Sequence, residues 1–302
     1  MLLEHRNAVI YGGAGRVGRA VARAFAHEGA RVFLAGRTLA TLDEVAEELA
    51  GSAAAVETAV VDALDQRAVD EHADAVAERA GGIDVSFNAI SHGDVHGLPL
   101  LQMSFEDFAR PISTAMRAQF LTTRAAARHM TGQGSGVIMT IIASTARLAI
   151  PEIGGTGVTF DAIESSCRQW ACELGPHGVR VVWLQTTGLP EALADIGLWP
   201  AYGTGSEAGM TRAELIAWQL GKTQLNRLTS LDEVGNVAAF LASDHAGAMT
   251  ATAAPIPATS APPLVRQVNS PNAAARTSMA SRNRMALRNR RWPSREFRSA
   301  AE

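Results

Sequence analysis

The segment Ala8-Val9-Ile10-Tyr11-Gly12-Gly13-Ala14-Gly15-Arg16-Val17-Gly18 decides the fold. Ala8 to Tyr11 is a short apolar run of the kind that forms a buried strand, glycines cut it off, and apolar residues then recur with a helical period from Arg16 to His27. Strand, glycine-rich turn and helix, in that order, are the context a phosphate-cradling loop requires. Glycines let the backbone turn sharply and approach a pyrophosphate, whose charge is then held by the amides and dipole of the helix N-terminus. Gly12, Gly15, Arg16, Val17 and Gly18 are therefore candidate contacts for a dinucleotide. The alternative is a purely structural turn.

Outward from this unit the same alternation continues. Apolar or β-branched runs at Arg31 to Ala35, Ala55 to Val61, Val85 to Ala89, Gly136 to Ile142 and Val179 to Gln185 predict five further strands. Helical periods lie at Leu39 to Leu49, Gln66 to Arg79, Phe105 to Met130, Asp161 to Leu174 and Asp232 to Ala242. This predicts one α/β domain over 1–254, a Rossmann-type doubly wound parallel sheet of six strands with helices on both faces. After Ala254 the periods vanish. Pro, Ala, Ser, Asn and Arg dominate 255–302, a composition that cannot offset its ordering entropy, so this tail is expected to be disordered.

Composition narrows the class. With 47% apolar and 19% charged residues the chain reads as largely globular. The opening Met1 to Arg6 is too short and too charged for the core of a signal peptide, and no run is long and apolar enough to span a bilayer, so a cytoplasmic protein without a membrane partner is expected. Cys167 and Cys172 lie about 140° apart around a helix, unsuited to a disulfide or a metal pair. The formal charge of −3 conceals a split, because 255–302 holds nine Arg and two Glu and leaves the body strongly acidic. The arginine tract could serve as a nucleic-acid arm, but its abrupt onset reads more simply as an extension without function.

The second predicted strand ends Leu34-Ala35-Gly36-Arg37-Thr38, where an acidic residue would ordinarily bind a ribose 2′-hydroxyl. Arg37 offers instead a guanidinium suited to a 2′-phosphate, with Arg16 as a possible second cation, so NADP is favoured over NAD. The other reading of Arg37 is a solvated loop residue.

The body resembles a short-chain dehydrogenase/reductase. The spacing Gly12-x-x-Gly15-x-x-Gly18 is similar to that of the family's extended and atypical members. Val61-Asp62-Ala63 resembles the turn whose Asp contacts adenine, and Asn88-Ala89 falls at the Asn-Asn-Ala-Gly segment. Glu173 to Val181 matches the end of the long interface helix and the next strand, and Thr187-Gly188 stands for the Pro-Gly before a substrate lid. The resemblance implies a nicotinamide cofactor touching Asp62, Asn88 and Gly188, a small-molecule carbonyl or alcohol as substrate, and a homodimer through the helices near Phe105 to Met130 and Asp161 to Leu174.

The family's catalytic pattern fails here. A Tyr-x-x-x-Lys pair cannot exist, because Lys222 is the only lysine and the only tyrosines are Tyr11 and Tyr202. Spacing from Glu173 puts Thr156 at the tyrosine position and Phe160 at the lysine position. The serine position falls on Ala143, beside Ser144, and the asparagine position on Ala115, beside Thr114. Hydride transfer at carbon must be matched by proton transfer at oxygen, so another group is needed. Ser144 or Thr145 could bind a substrate oxygen. Asp161, His92 and His96 could titrate if buried, and Tyr202, in the expected glycine-hinged lid Leu189 to Glu207, could reach the nicotinamide on closure. No metal is expected, since Gly93 and Gly97 argue against a helix that would align His92 with His96. The expectation is an NADP-dependent oxidoreductase with a non-standard site; the alternatives are an inactive cofactor-binding or dimerising protein and a redox-neutral enzyme on the same fold.

Overall fold

The computed structural model describes residues 1–51, 55–143, 150–193, 200 and 209–256. Ser144, Thr145, Tyr202, most of the expected lid and the tail beyond Ile256 lie outside the described residues. Seven parallel strands form one sheet: β1 (Asn7–Tyr11), β2 (Arg31–Gly36), β3 (Val56–Val60), β4 (Val85–Asn88), β5 (Gly136–Ala143), β6 (Val179–Thr186) and β7 (Thr252–Ile256). Their order is β3-β2-β1-β4-β5-β6-β7, so the winding reverses between β1 and β4. A crevice opens at such a reversal, outside the carboxyl ends of the strands, and ligands of open α/β sheets bind there.

Seven α-helices are described: α1 (Arg16–His27), α2 (Leu39–Leu49), α3 (Gln66–Ala80), α4 (Phe105–Gln133), α5 (Thr156–Leu174), α6 (Arg212–Leu220) and α7 (Leu231–Ala242). One face of the sheet is covered by Val21 and Phe25 of α1, Leu42 and Val45 of α2 and Val234 and Ala238 of α7. The other packs against Val69 and Val76 of α3, Ala115 and Ala126 of α4 and Ile163 and Cys167 of α5. Burial on both faces explains why β1, β2 and β6 read as continuous apolar runs instead of alternating. The long helices have local stops as well. Ser104 caps α4 by accepting the Asp107 N–H at 3.0 Å, and Gly134 ends it in the left-handed conformation.

Three features depart from the sequence reading. A seventh strand is present, and the expected boundary at 254 falls inside it, since Pro255 and Ile256 pair with Gln185 and Thr186. Thr-Ala-Ala-Pro-Ile lacks the composition of a core strand, but β7 is the sheet's edge, where proline's missing N–H costs little. Helix α6 had no expectation, although Thr211 and Glu214 form a capping box there. Helix α5 begins at Thr156, five residues before the expected Asp161. Gly155 makes this start possible, because a Cβ at that position would collide with the Phe108 carbonyl oxygen of α4.

Candidate functional site

The turn after β1 is built by close backbone approach. Gly12 has φ +78°, and a Cβ there would lie 2.7 Å from the Ala89 carbonyl oxygen at the end of β4. Its N–H and that of Gly13 both donate to the Ala35 carbonyl, at 2.9 and 3.1 Å. Gly18 lets α1 rest on the turn, since a Cβ on it would run into the Gly12 carbonyl oxygen and come 2.9 Å from Gly13 Cα. The N-cap of α1 is Gly15, with no side-chain cap and no acidic residue in the first turn. Among the described residues the leading N–H groups of the helix, including those of Val17 and Gly18, therefore have no side-chain acceptor, the condition under which a helix N-terminus holds an anion.

A cleft of about 310 Å³ runs from this turn along the carboxyl ends of β2, β3 and β4. Gly12, Gly15, Arg37, Asp62, Ser91 and Thr114 are among the residues that line it. A glycine cradle joined to an uncapped helix start, with a cation lining the same cleft, fits a dinucleotide. Arg37 is exposed and, among the described residues, makes no hydrogen bond or ion pair, so its guanidinium is available to a ligand. Asp62 sits at the rim, its Oδ1 accepting the Leu64 N–H at 3.0 Å.

Three other expected contacts are used differently. Arg16 donates to the Ala192 carbonyl at 2.7 Å, tying the start of α1 to the segment after β6, so it is not the second free cation beside Arg37. Asn88 is buried, and its amide nitrogen donates to Thr122 Oγ1 at 3.0 Å while its oxygen accepts the Ile90 N–H at 3.1 Å. Thr140 Oγ1 donates to the Asn88 carbonyl at 3.2 Å and accepts from Gln119 at 2.6 Å. Asn88 thus shapes the cleft by holding the backbone of Ile90, with its own amide committed to the interior. Gly188 packs against the Gln219 side chain of α6, where a Cβ would collide with the amide.

Thr156 and Phe160 are both buried and one turn apart on the face of α5 that meets the core. The loop after β4 fills the space around them. Thr156 Oγ1 donates to Asp94 Oδ1 at 3.1 Å and lies 2.9 Å from His96 Nε2. The His92 ring meets Phe160 edge-on, with centroids 5.9 Å apart. Burial lowers the pKa of both imidazoles, and the Asp94 carboxylate opposes it. Ala115 is fully buried in α4, whereas its neighbour Thr114 reaches the cleft. Asp161 is exposed, not buried. Among the described residues no three His, Cys, Asp or Glu side chains gather as metal ligands. The meeting of His96 with Thr156 was missed because the two are 60 residues apart; a histidine-rich loop at the sheet's carboxyl edge was the one signal available.

Comparison with known proteins agrees with this geometry. Residues 13–195 match a family model described as enoyl-(acyl carrier protein) reductase. The chain is 30% identical over 250 residues to oxidoreductase asL5 of Sarocladium schorii, covering 83% of this chain and 93% of that one. It is 28% identical over 243 residues to gluconate 5-dehydrogenase of Gluconobacter oxydans, covering 80% and 89%. An NAD+-bound xylitol dehydrogenase structure superposes with a TM-score of 0.76 over 85% of this chain and 99% of that one, and its 21% identity carries the fold alone.

Proposed function

The chain belongs to the short-chain dehydrogenase/reductase family of nicotinamide-dependent oxidoreductases acting on small-molecule alcohols and carbonyls, and on that premise we propose an NADP-preferring member whose proton transfer does not use the family's Tyr-x-x-x-Lys pair. The observation that carries the cofactor choice is Arg37, an exposed guanidinium lining the cleft where a carboxylate would select NAD. Gly12, Gly15, Val17 and Gly18 hold the pyrophosphate, Asp62 the adenine, and Asn88 and Gly188 shape the site through the backbone. Ser144, directly after β5, is assigned to orient the substrate oxygen.

The assembly is a homodimer through α4 and α5. Phe120, half exposed on α4, packs at a tilt against Trp170 of α5 with centroids 5.7 Å apart, and Val158 is exposed on the same pair of helices. Among the described residues no helix is long and apolar enough to cross a membrane, and both cysteines are free thiols, in keeping with a cytoplasmic enzyme. Thr156 and Phe160, buried where the catalytic pair would stand, favour as a second reading a cofactor-binding protein without dehydrogenase activity.

The test is to titrate the protein with NADPH and NADH by nicotinamide fluorescence, then add ketones and quinones while following nicotinamide absorbance. Tighter NADPH binding with oxidation is the expected result. Binding without oxidation supports the second reading, and no binding of either cofactor overturns both.

A further inference from the structure

Among the described residues, Thr187 Oγ1 and Gln219 Oε1 are buried and make no hydrogen bond. They belong to one place. Thr187 precedes Gly188, and the Gln219 amide lies so close to Gly188 that a Cβ there would collide with its oxygen. A buried acceptor without a donor is costly, and most such groups in folded proteins are paired. Gln219 comes one turn after Leu215 on α6 and shares its face. Leu215 is buried with Met210 and Ile153, and Ile150, Leu193 and Trp218 pack against these three, in an apolar cluster separate from the two that cover the sheet. Apolar walls with a few fixed polar groups are the make-up of a small-molecule site. The segment after β6 is tied both to the cofactor turn and to α6. Arg16, next to the cleft-lining Gly15, donates to the Ala192 carbonyl, and Arg212, the first residue of α6, donates to the Pro190 carbonyl, each at 2.7 Å. Leu189 is buried in the cluster against which Ala14 and Val17 of the turn pack. Thr186, the last residue of β6, pairs with Ala143, the last of β5, so Thr187 leaves the sheet at its carboxyl edge, where open α/β sheets bind their ligands.

We propose that Gln219, with Thr187, binds a hydroxyl of the substrate other than the one that reacts, so that the substrates are hydroxyketones and diols instead of simple ketones and alcohols. This rests on the oxidoreductase reading above. The Gln219 amide oxygen can only accept, and a substrate O–H donates to it; the Thr187 hydroxyl can accept from or donate to the same group. Leu215, Met210 and Ile153 offer no donor in its place. A substrate without the second hydroxyl therefore leaves the amide oxygen unpaired, and a site built to bond a hydroxyl rejects the analogue that lacks it. Gln219 and Thr187 set specificity and take no part in the transfer of hydride or proton at the reacting carbon.

The experiment measures kcat/KM with NADPH for α- and β-hydroxyketones of four to six carbons, each beside the ketone that lacks the hydroxyl, acetoin beside butanone among them. The wild type is expected to prefer the hydroxyketone by about 10-fold or more, the scale of one unpaired buried acceptor. Gln219→Met, which keeps the length of the side chain, brings that preference close to unity; Thr187→Val reduces it and Thr187→Ser keeps it. A second measurement needs no substrate. Gln219→Met removes an unpaired polar group at little change in helix preference, so the Tm of the ligand-free protein rises by a few degrees. A lower Tm shows an amide bonded within the fold and overturns the proposal, as does a wild type without the preference or a preference that survives Gln219→Met. A loss of NADPH affinity in Gln219→Met as large as its loss of turnover assigns the amide to the cofactor and overturns it too. All of these leave an active NADP oxidoreductase in place. A wild type that binds NADPH and turns over no alcohol or carbonyl overturns both.

Discussion

Gly18→Ala is the sharpest test of how the cofactor turn is built. The added methyl would run into the Gly12 carbonyl oxygen and sit 2.9 Å from Gly13 Cα, against an optimal carbon–carbon separation of about 3.5–4.0 Å. Both obstacles are backbone, so relief requires the turn and α1 to move apart. Overpacking of this kind costs about 1–3 kcal/mol, and the helix preference of Ala over Gly returns up to about 1 kcal/mol. A net loss of about 1–2 kcal/mol lowers Tm by roughly 2–8 °C at this chain size. The same displacement draws the turn away from the pyrophosphate, so NADPH affinity falls about tenfold or more, each decade being about 1.4 kcal/mol. Gly132→Ala is the control: it lies in α4 with nothing within 4 Å of its added Cβ, and it raises stability by a few tenths to about 1 kcal/mol. Thermal melts and fluorescence titrations of both variants decide the matter. A Gly18→Ala protein with wild-type Tm and NADPH affinity would refute the reasoning.

Other predictions concern the cofactor, the core, acid stability and assembly. Arg37→Ser weakens NADPH by about tenfold and leaves NADH nearly unchanged, a charge-assisted hydrogen bond of about 1.5–3 kcal/mol being discounted for exposure; equal losses for both cofactors would remove the 2′-phosphate contact. Asn88→Ala leaves the Ile90 N–H without its acceptor and removes the donor to Thr122 Oγ1, which keeps the Ala118 carbonyl, and costs about 1–3 kcal/mol, read in urea unfolding. Burial, with Arg79 adding to it, holds the His72 imidazole down at about 4. The unfolded chain takes up that proton near pH 6.5 and the folded one does not, so stability present at neutral pH is lost progressively as pH falls from about 6.5 to 4. The loss amounts to about 3 kcal/mol, and His72→Phe should flatten this slope in pH-dependent melts. Phe120→Glu puts a charge on the α4 and α5 face and is expected to yield monomer by analytical ultracentrifugation; an unchanged mass would place the interface elsewhere.

Local signals made the fold legible. A strand, glycine turn and helix at Ala8 to His27 announce a βα unit because each element is specified by residues adjacent in sequence, and the six strands read from the alternation all occur in the sheet. The glycines of the loop and Arg37 were legible for the same reason: turn chemistry and the end of a strand are local properties. Enumeration alone ruled out a Tyr-x-x-x-Lys pair. Long-range packing decided the rest. Residues 252–256 become a strand only because β6 offers an unpaired edge. Asn88 turned inward because Thr122 and Thr140, on other elements, meet it there. Arg16 found the Ala192 carbonyl 176 residues away. The contact of His96 and Asp94 with Thr156 exists because the loop after β4 and the start of α5 share the carboxyl edge of the sheet. Periodicity records which face of an element is buried, but not which distant side chain meets it there. That is settled by the path of the backbone between them.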